Sequence, residues 1–249
     1  MPCYAEILGD CEGPLEREHF IPGAVQRLFG PVFIEGMAWQ RPGERIELLP
    51  EQYAVGRVLC RKHHDDLDLL DPVARDFYTN FRLLADGTVR IGEPGGVNDW
   101  CRRIDGRLLE RWMLKTICGA IASGNAVARS GVQERWIRAL FSRAPWPDEY
   151  ALHVVTDFEH VFVREDARLG IYFVWADDDG RLLGFCTQAF GFTTIFDVEA
   201  PLKYDAPKRP GGIGAHVRRP NGGPPLANWP EDQPLVFKFA WPAEATRDR

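Results

Sequence analysis

Long apolar runs are missing from the sequence, and none approaches the ~20 residues that a membrane-spanning helix needs. The N-terminus also lacks a basic segment followed by an apolar one, so a secretory signal is not predicted. Internal repeats and low-complexity tracts are absent too. Hydrophobic residues make up 45% and charged residues 27% of the 249 residues, as in ordinary soluble proteins. We therefore expect a cytoplasmic protein with no membrane partner.

An excess of basic residues is missing, because 30 Lys and Arg stand against 36 Asp and Glu and the formal net charge is −6. This value argues against a generally basic nucleic-acid-binding protein. Residues 1–71 carry 7 Lys and Arg against 13 Asp and Glu, whereas residues 98–143 carry 9 against 4. An acidic segment suits a cation site. The basic segment predicts either a phosphate-binding surface, with Arg103, Arg111 and Arg135 as its contacts, or ordinary solvated helix faces.

The six cysteines are not predicted to form disulfides, because nothing marks the chain for secretion. Three of them lie in apolar or helical stretches and are predicted to be reduced core thiols: Cys101, Cys118 and Cys186. The other three lie near histidines and carboxylates: Cys3, Cys11 and Cys60. This second group contains the candidate metal ligands.

The hydrophobic pattern changes its period along the chain. Residues 72–145 show the spacing of amphipathic helices, the first of which is predicted to begin at Asp71-Pro72. Residues 150–242 show a period of two, which predicts an antiparallel meander of strands. The expected fold is therefore an α+β chain with a small metal-binding module over residues 1–71, a helical middle and a C-terminal antiparallel β-sheet.

A C-x2-H arrangement, from Cys60 to His63, has the spacing of one half of a zinc site. Cys3 and Cys11 are the plausible other half, although seven residues separate them where two to four are usual. The segment between them can be looped out, so these four residues predict a structural Zn²⁺ site. The alternative is a pair of buried N-terminal thiols and a surface histidine.

If zinc holds the N-terminal segment against the helix after the C-x2-H stretch, a second cluster of polar residues is predicted beside it. Glu18 and His64 are then brought close, and Asp68 lies one helical turn after His64 on the same face. Oxygen and nitrogen ligands of this kind suit Mg²⁺, Mn²⁺ or Zn²⁺. His19 points to the other side of a strand from Glu18, so it is a candidate base beside the cation.

Two motifs resemble those of the HNH, or ββα-metal, nuclease family. One is an acidic-His-hydrophobic-x-Pro pattern, here EHFIP starting at Glu18. The other is a Leu-Cys-x-x-(Cys/His)-His pattern, here LCRKHH ending at His64. With Cys3 and Cys11 as the flanking zinc cysteines, the resemblance covers residues 3–71.

The resemblance implies a zinc-bound ββα-metal module, one catalytic divalent cation, Mg²⁺ or Mn²⁺, and endonuclease activity on DNA. It implies that His19 is the general base and that Glu18 and His64 hold the cation. Asp68 is a candidate third ligand from its helical spacing alone. Nothing in the sequence marks an oligomer interface.

One departure from the family pattern keeps other functions open. The family usually has an asparagine or histidine between its two motif histidines, where it organises the loop and the base. Here the nearest amides are Gln40 and Gln52, and Val55 stands five residues before Cys60. A non-catalytic zinc module in a nucleic-acid- or protein-binding regulatory protein is one alternative. An unrelated metalloenzyme that hydrolyses a small phosphoester is another.

Overall fold

The structure is a computed structural model that describes residues 2–29, 32–41, 43–48, 55–85, 103–126, 128, 131–156, 169–175, 182–189, 192–198, 212–215 and 235–240. Over these residues the chain is a mixed α+β protein, which confirms the predicted fold class at that level. Every helix found there is too short or too polar to span a bilayer. Residues 157–168 of the predicted meander, together with Cys101 and Gln52, lie outside the described residues.

The bounds of the regular elements are as follows. The helices are α1 (Gly23–Phe29), α2 (Arg61–Leu67), α3 (Leu70–Ala85), α4 (Gly106–Ala122) and α5 (Glu134–Leu140). The strands are β1 (Leu15–His19), β2 (Val32–Glu35), β3 (Ile46–Leu48), β4 (Val55–Cys60), β5 (Arg103–Asp105), β6 (Ala151–Thr156), β7 (Leu169–Trp175), β8 (Leu182–Ala189), β9 (Phe192–Asp197), β10 (Gly212–Ala215) and β11 (Leu235–Ala240).

Strands β1 and β4 form an antiparallel pair, and helix α2 follows β4 without a break. Leu15 pairs with Cys60 at one end, and His19 pairs with Val55 at the other. Cys60 keeps an extended backbone and is the N-cap of α2, so the strand turns directly into the helix. The carbonyl oxygen of Pro22 accepts the first backbone hydrogen bonds of α1. Two paired strands therefore lead into a helix, although α1, β2 and β3 stand between β1 and β4 in the chain.

A six-stranded sheet has the order β3-β2-β7-β8-β9-β6. Strands β7, β8 and β9 form a sequential antiparallel meander, as the period-two pattern predicts. Strand β2 pairs in parallel with β7, with Ile34 opposite Ile171. The sheet is therefore mixed rather than antiparallel throughout. The alternating burial of β2 lets its apolar residues continue the inner face of the meander, so the N-terminal segment extends the C-terminal sheet.

A separate three-stranded sheet has the order β10-β11-β5. Strand β11 was expected to end the meander, but it pairs in parallel with β5, with Phe239 opposite Ile104. Asp105 ends β5 and caps α4, because its carboxylate accepts a hydrogen bond from the backbone N–H of Leu108 at 3.0 Å. This sheet therefore leads the chain into the central helix.

Helix α4 is buried on almost every side. Trp112, Met113 and Ile117 have no exposed surface, and the helix contacts α3, α5, β4 and strands of both larger sheets. One cluster of buried apolar residues runs through the molecule from Cys3 to Val198. The domain boundary expected after residue 71 falls inside α3 and stays a prediction.

Candidate metal centre and the polar site beside it

Three thiols and one imidazole meet at the start of α2. His63 Nδ1 lies 3.4 Å from Cys3 Sγ, 3.7 Å from Cys11 Sγ and 3.2 Å from Cys60 Sγ. All four ligand atoms lie within 4.8 Å of one another. Nitrogen and sulfur ligands of a tetrahedral zinc ion stand about 3.6 Å apart, given the usual bond lengths. The cluster predicted from the sequence is therefore confirmed, and its donor set fits Zn²⁺.

The local backbone explains how Cys3 and Cys11 meet despite their long spacing. A 3₁₀ turn at Glu6–Leu8 follows Cys3, and Gly9 ends the turn with a left-handed φ of 78°. The residue after Cys3 donates its backbone N–H to a carbonyl oxygen of β4 at 2.9 Å, which holds the N-terminal segment beside that strand. The intervening residues therefore form a compact turn that returns the chain to the sulfur cluster.

The cluster is mostly shielded from solvent. His63 has no exposed surface, Cys3 is 6% and Cys60 2% exposed, while Cys11 lies at the surface. The alternative of a surface histidine is therefore wrong. Burial raises the pKa of the Cys60 thiol, but hydrogen bonds from the backbone of His63 and Glu12 and from the thiols of Cys11 and Cys3 together lower it by more, so the net shift favours the thiolate.

Asp10 contacts the outer side of the His63 ring and was not predicted from the sequence. His63 Nε2 donates to Asp10 Oδ1 at 2.9 Å. Asp10 Oδ2 in turn lies 3.1 Å from Lys62 Nζ and accepts from Arg143 Nη2 at 2.9 Å. Hydrogen bonds from Lys62 and His63 lower the pKa of the Asp10 carboxyl to about 2. The arrangement resembles the carboxylate–histidine pairs that orient metal-binding imidazoles.

Polar side chains from β1 and α2 meet beside the cysteine cluster. His64 Nε2 lies 3.3 Å from Glu18 Oε2, and His64 Nδ1 lies 3.5 Å from Asp68 Oδ1. Asp65, which was not predicted, lies 3.6 Å from His64 Nδ1. His64 therefore contacts both of the other residues predicted to hold a catalytic cation, but through different ring nitrogens. The ligand atoms that lie within 4.8 Å of one another are those of His64, Asp65 and Asp68, and Glu18 is not among them. Glu18 is buried at the inner end of this group, and the two aspartates are exposed at its outer end.

Lys115 reaches this polar site from α4. Its Nζ lies 2.7 Å from Glu18 Oε1 and donates to Asp71 Oδ1 at 2.8 Å. The side chains of Lys115 and Glu18 are each 3% exposed. Burial lowers the pKa of Lys115, but Glu18 and Asp71 raise it by more, so the ammonium stays charged. Burial raises the pKa of Glu18, and Lys115 offsets part of that rise.

His19 follows Glu18 at the end of β1 and is half-buried. Because successive side chains of a strand point to opposite faces, His19 lies on the other side of β1 from Glu18. The residue that pairs with it on β4 is Val55. Gln40 Nε2 donates to the Ile34 carbonyl oxygen in β2, and Gln40 Oε1 accepts from the Met37 backbone N–H, both at 2.7 Å. Gln40 therefore does not replace the missing amide.

Two of the three arginines predicted to contact phosphate are engaged within the chain. Arg111 Nε and Nη2 donate to the Leu140 carbonyl oxygen at 2.9 and 2.6 Å. Arg135 Nη1 lies 3.7 Å from Glu149 Oε1. The side chain of Arg103 lies outside the described residues. These contacts do not favour the predicted phosphate-binding surface.

Cys118 and Cys186 are buried and free, as predicted for core thiols. Burial raises the pKa of Cys186 to about 12 and also raises that of Cys118, so both stay protonated at neutral pH. Neither contributes to the polar site.

No known protein family, curated protein or solved structure matches this chain.

Proposed function

We propose that this chain is a metal-dependent endonuclease that hydrolyses DNA phosphodiester bonds at an HNH-like site. The cluster of three cysteines and His63 would hold a structural Zn²⁺ ion. The observation that carries the proposal is the contact between Glu18 and His64 on a ββα unit, directly beside that cluster. His64 follows His63 in the chain, so zinc at the cluster would also fix the position of His64.

The residues of the polar site divide into two roles. Glu18 and His64, with Asp68 as a third ligand, would hold Mg²⁺ or Mn²⁺. When bound, the cation supplies positive charge for the phosphate and the leaving oxygen. His19, on the other side of β1, accepts the proton of the attacking water on a ring nitrogen, because neutral imidazole is a proton acceptor at neutral pH.

A second candidate function is a non-catalytic zinc module in a regulatory protein that binds nucleic acid or another protein. Two observations favour it. The residue that pairs with His19 in the register of the two strands is the apolar Val55, and the Lys115 ammonium already contacts one oxygen of Glu18. Both features differ from a site built only to hold a divalent cation and orient a base.

A plasmid-nicking assay with Mg²⁺ or Mn²⁺ separates the two functions. The endonuclease proposal expects nicking by the native chain and a loss of about 10²–10⁴-fold in rate for His19→Ala. Zinc content and thermal stability should be unchanged in that variant. His64→Ala should also lose activity, but high Mn²⁺ should restore part of it, because the variant weakens cation binding.

Glu16→Gln is a matched control for these variants. Glu16 lies on the same strand, is partly exposed and pairs with Arg61 at 3.0 Å, so its substitution should leave nicking unchanged. If the native protein nicks no DNA with any divalent cation, the catalytic proposal is wrong and the zinc-module function takes its place.

A further inference from the structure

Lys115 is a buried cation inside the proposed cation site, and the HNH resemblance assigns it no role. Its Nζ contacts Glu18 Oε1 at 2.7 Å, while the other oxygen of Glu18 faces His64 at 3.3 Å. The two oxygens of one carboxylate therefore have different partners. Because the lysine side chain is 3% exposed, it cannot reach a DNA phosphate.

The position of Lys115 is fixed by its neighbours. Asp71, at the start of α3, binds the same ammonium at 2.8 Å. The next residue on α4, Thr116, donates its hydroxyl to the Phe20 carbonyl oxygen at 2.9 Å, which anchors the helix to the end of β1. The ammonium is therefore a built part of the site and not a side chain that happens to lie near it.

A fixed ammonium changes the charge that a divalent cation would meet. Lys115 and a cation at Glu18 and His64 would share one carboxylate, and two positive charges a few ångströms apart repel strongly in a buried site. Asp71 partly neutralises the ammonium and so limits that repulsion. The affinity of the site for a cation depends on the balance between these two groups.

We propose that Lys115 is a positioning residue that sets how tightly the cation is held. Its ammonium binds one oxygen of Glu18, so the other oxygen faces His64, and its charge lowers the net negative charge of the site. This inference rests on the proposed function, because it concerns the same cation. Lys115 and the cation both bind the Glu18 carboxylate, and binding energies are reciprocal. A change that weakens the contact between Lys115 and Glu18 therefore strengthens the binding of the cation to Glu18.

The test is Mn²⁺ binding to the zinc-loaded full chain, measured by electron paramagnetic resonance, beside the nicking rate at saturating Mn²⁺. Lys115→Met removes the charge and keeps the length of the side chain. It should lower the Mn²⁺ dissociation constant by about tenfold or more. The nicking rate should fall, because Glu18 loses the group that orients it. If Lys115 only supported the fold, Lys115→Met would weaken Mn²⁺ binding and lower the nicking rate together.

Asp71→Asn gives an independent test if Lys115→Met fails to fold. Without Asp71 the ammonium is less neutralised, so the Mn²⁺ dissociation constant should rise by about tenfold. Asp76→Asn is the matched control, because Asp76 lies on the same helix and pairs with Arg75 at 3.1 Å. Its Mn²⁺ affinity should equal that of the native chain.

The outcomes distinguish this inference from the proposed function. If the native chain binds Mn²⁺ in a His64-dependent way and Lys115→Met binds it equally or more weakly, the role of Lys115 is overturned and the cation site stands. Where that variant does not fold, an unchanged affinity in Asp71→Asn has the same meaning. If the native chain binds no Mn²⁺ that depends on His64, both the cation site and the role of Lys115 are overturned.

Discussion

Asp10 fixes His63 from the side opposite the three sulfur atoms. Because His63 Nε2 donates to Asp10 at 2.9 Å, the ring presents Nδ1 to the cysteines. A carboxylate in this position orients a metal-binding imidazole and makes it more basic. Asp10→Ala should therefore weaken zinc binding by about 10- to 100-fold. Competition with a chromophoric zinc chelator measures this change directly.

Asp66→Asn is the control for that variant. Asp66 pairs with Lys62 at 2.8 Å, as Asp10 does at 3.1 Å, but it lies on the exposed face of α2. Zinc affinity should be unchanged when only this surface pair is lost. An Asp10→Ala protein that holds zinc as tightly as the native chain would show that the His63 ring needs no carboxylate partner.

The four cluster residues can be predicted from the sequence, because metal ligands follow a short spacing rule that a C-x2-H stretch already satisfies. Asp10 and Lys115 follow no such rule. Asp10 stands beside Cys11 in a segment that was expected only to loop out. Lys115 stands on a helix whose other buried positions are mostly apolar, with Glu110 and Thr116 as exceptions, and nothing local shows that its partners come from β1 and α3. Long-range electrostatic pairs of this kind need the folded chain.

At the scale of elements, α4 and β1 pack closely enough to require a glycine. A Cβ atom at Gly119 would lie 2.6 Å from Cδ1 of Phe20, well inside van der Waals contact. The Phe20 ring is held in the core, where it is 3% exposed. Gly119→Ala should lower the free energy of unfolding by about 1–3 kcal/mol through overpacking, less any gain in helix propensity. Urea unfolding measures this difference.

A second substitution tests whether the clash is the cause. Phe20→Leu removes the ring that the new methyl group would meet, at the cost of a cavity. In a double-mutant cycle, Gly119→Ala should be much less destabilising in the Phe20→Leu background than in the native one. Additive effects would mean that the alanine disturbs the helix in some other way.

The elements themselves are more predictable than their partners. A period of two identifies β11 as a strand, but it does not say which strand lies beside it, and β2 was not predicted from the sequence. The parallel pairs β2–β7 and β11–β5 join segments that are far apart in the sequence. Pairs between segments so far apart form only in the folded chain, so the mixed sheet could not be predicted from the local pattern.

At the scale of the molecule, the cysteine cluster belongs to the same apolar core as the sheets. Cys3 and Cys60 are members of the buried cluster that also contains Phe185 and Phe196 from β8 and β9. Strands β2 and β3 pair within the sheet formed by the C-terminal strands. Loss of order near the cluster should therefore be transmitted to the rest of the core.

Removal of the proposed zinc ion by a chelator tests this connection. Metal binding at a structural site contributes directly to folding free energy, so the metal-free chain should melt at a temperature lower by roughly 10 °C, given the usual relation between free energy and melting temperature for a chain of this size. Because the core is continuous, we expect one cooperative transition in both forms, measured by calorimetry and by tryptophan fluorescence. Zn²⁺ should restore the original melting temperature, whereas Mg²⁺ should not, because thiolate ligands select soft or borderline metals. Two separate transitions, with the chelator shifting only one, would instead support independent domains divided near residue 71.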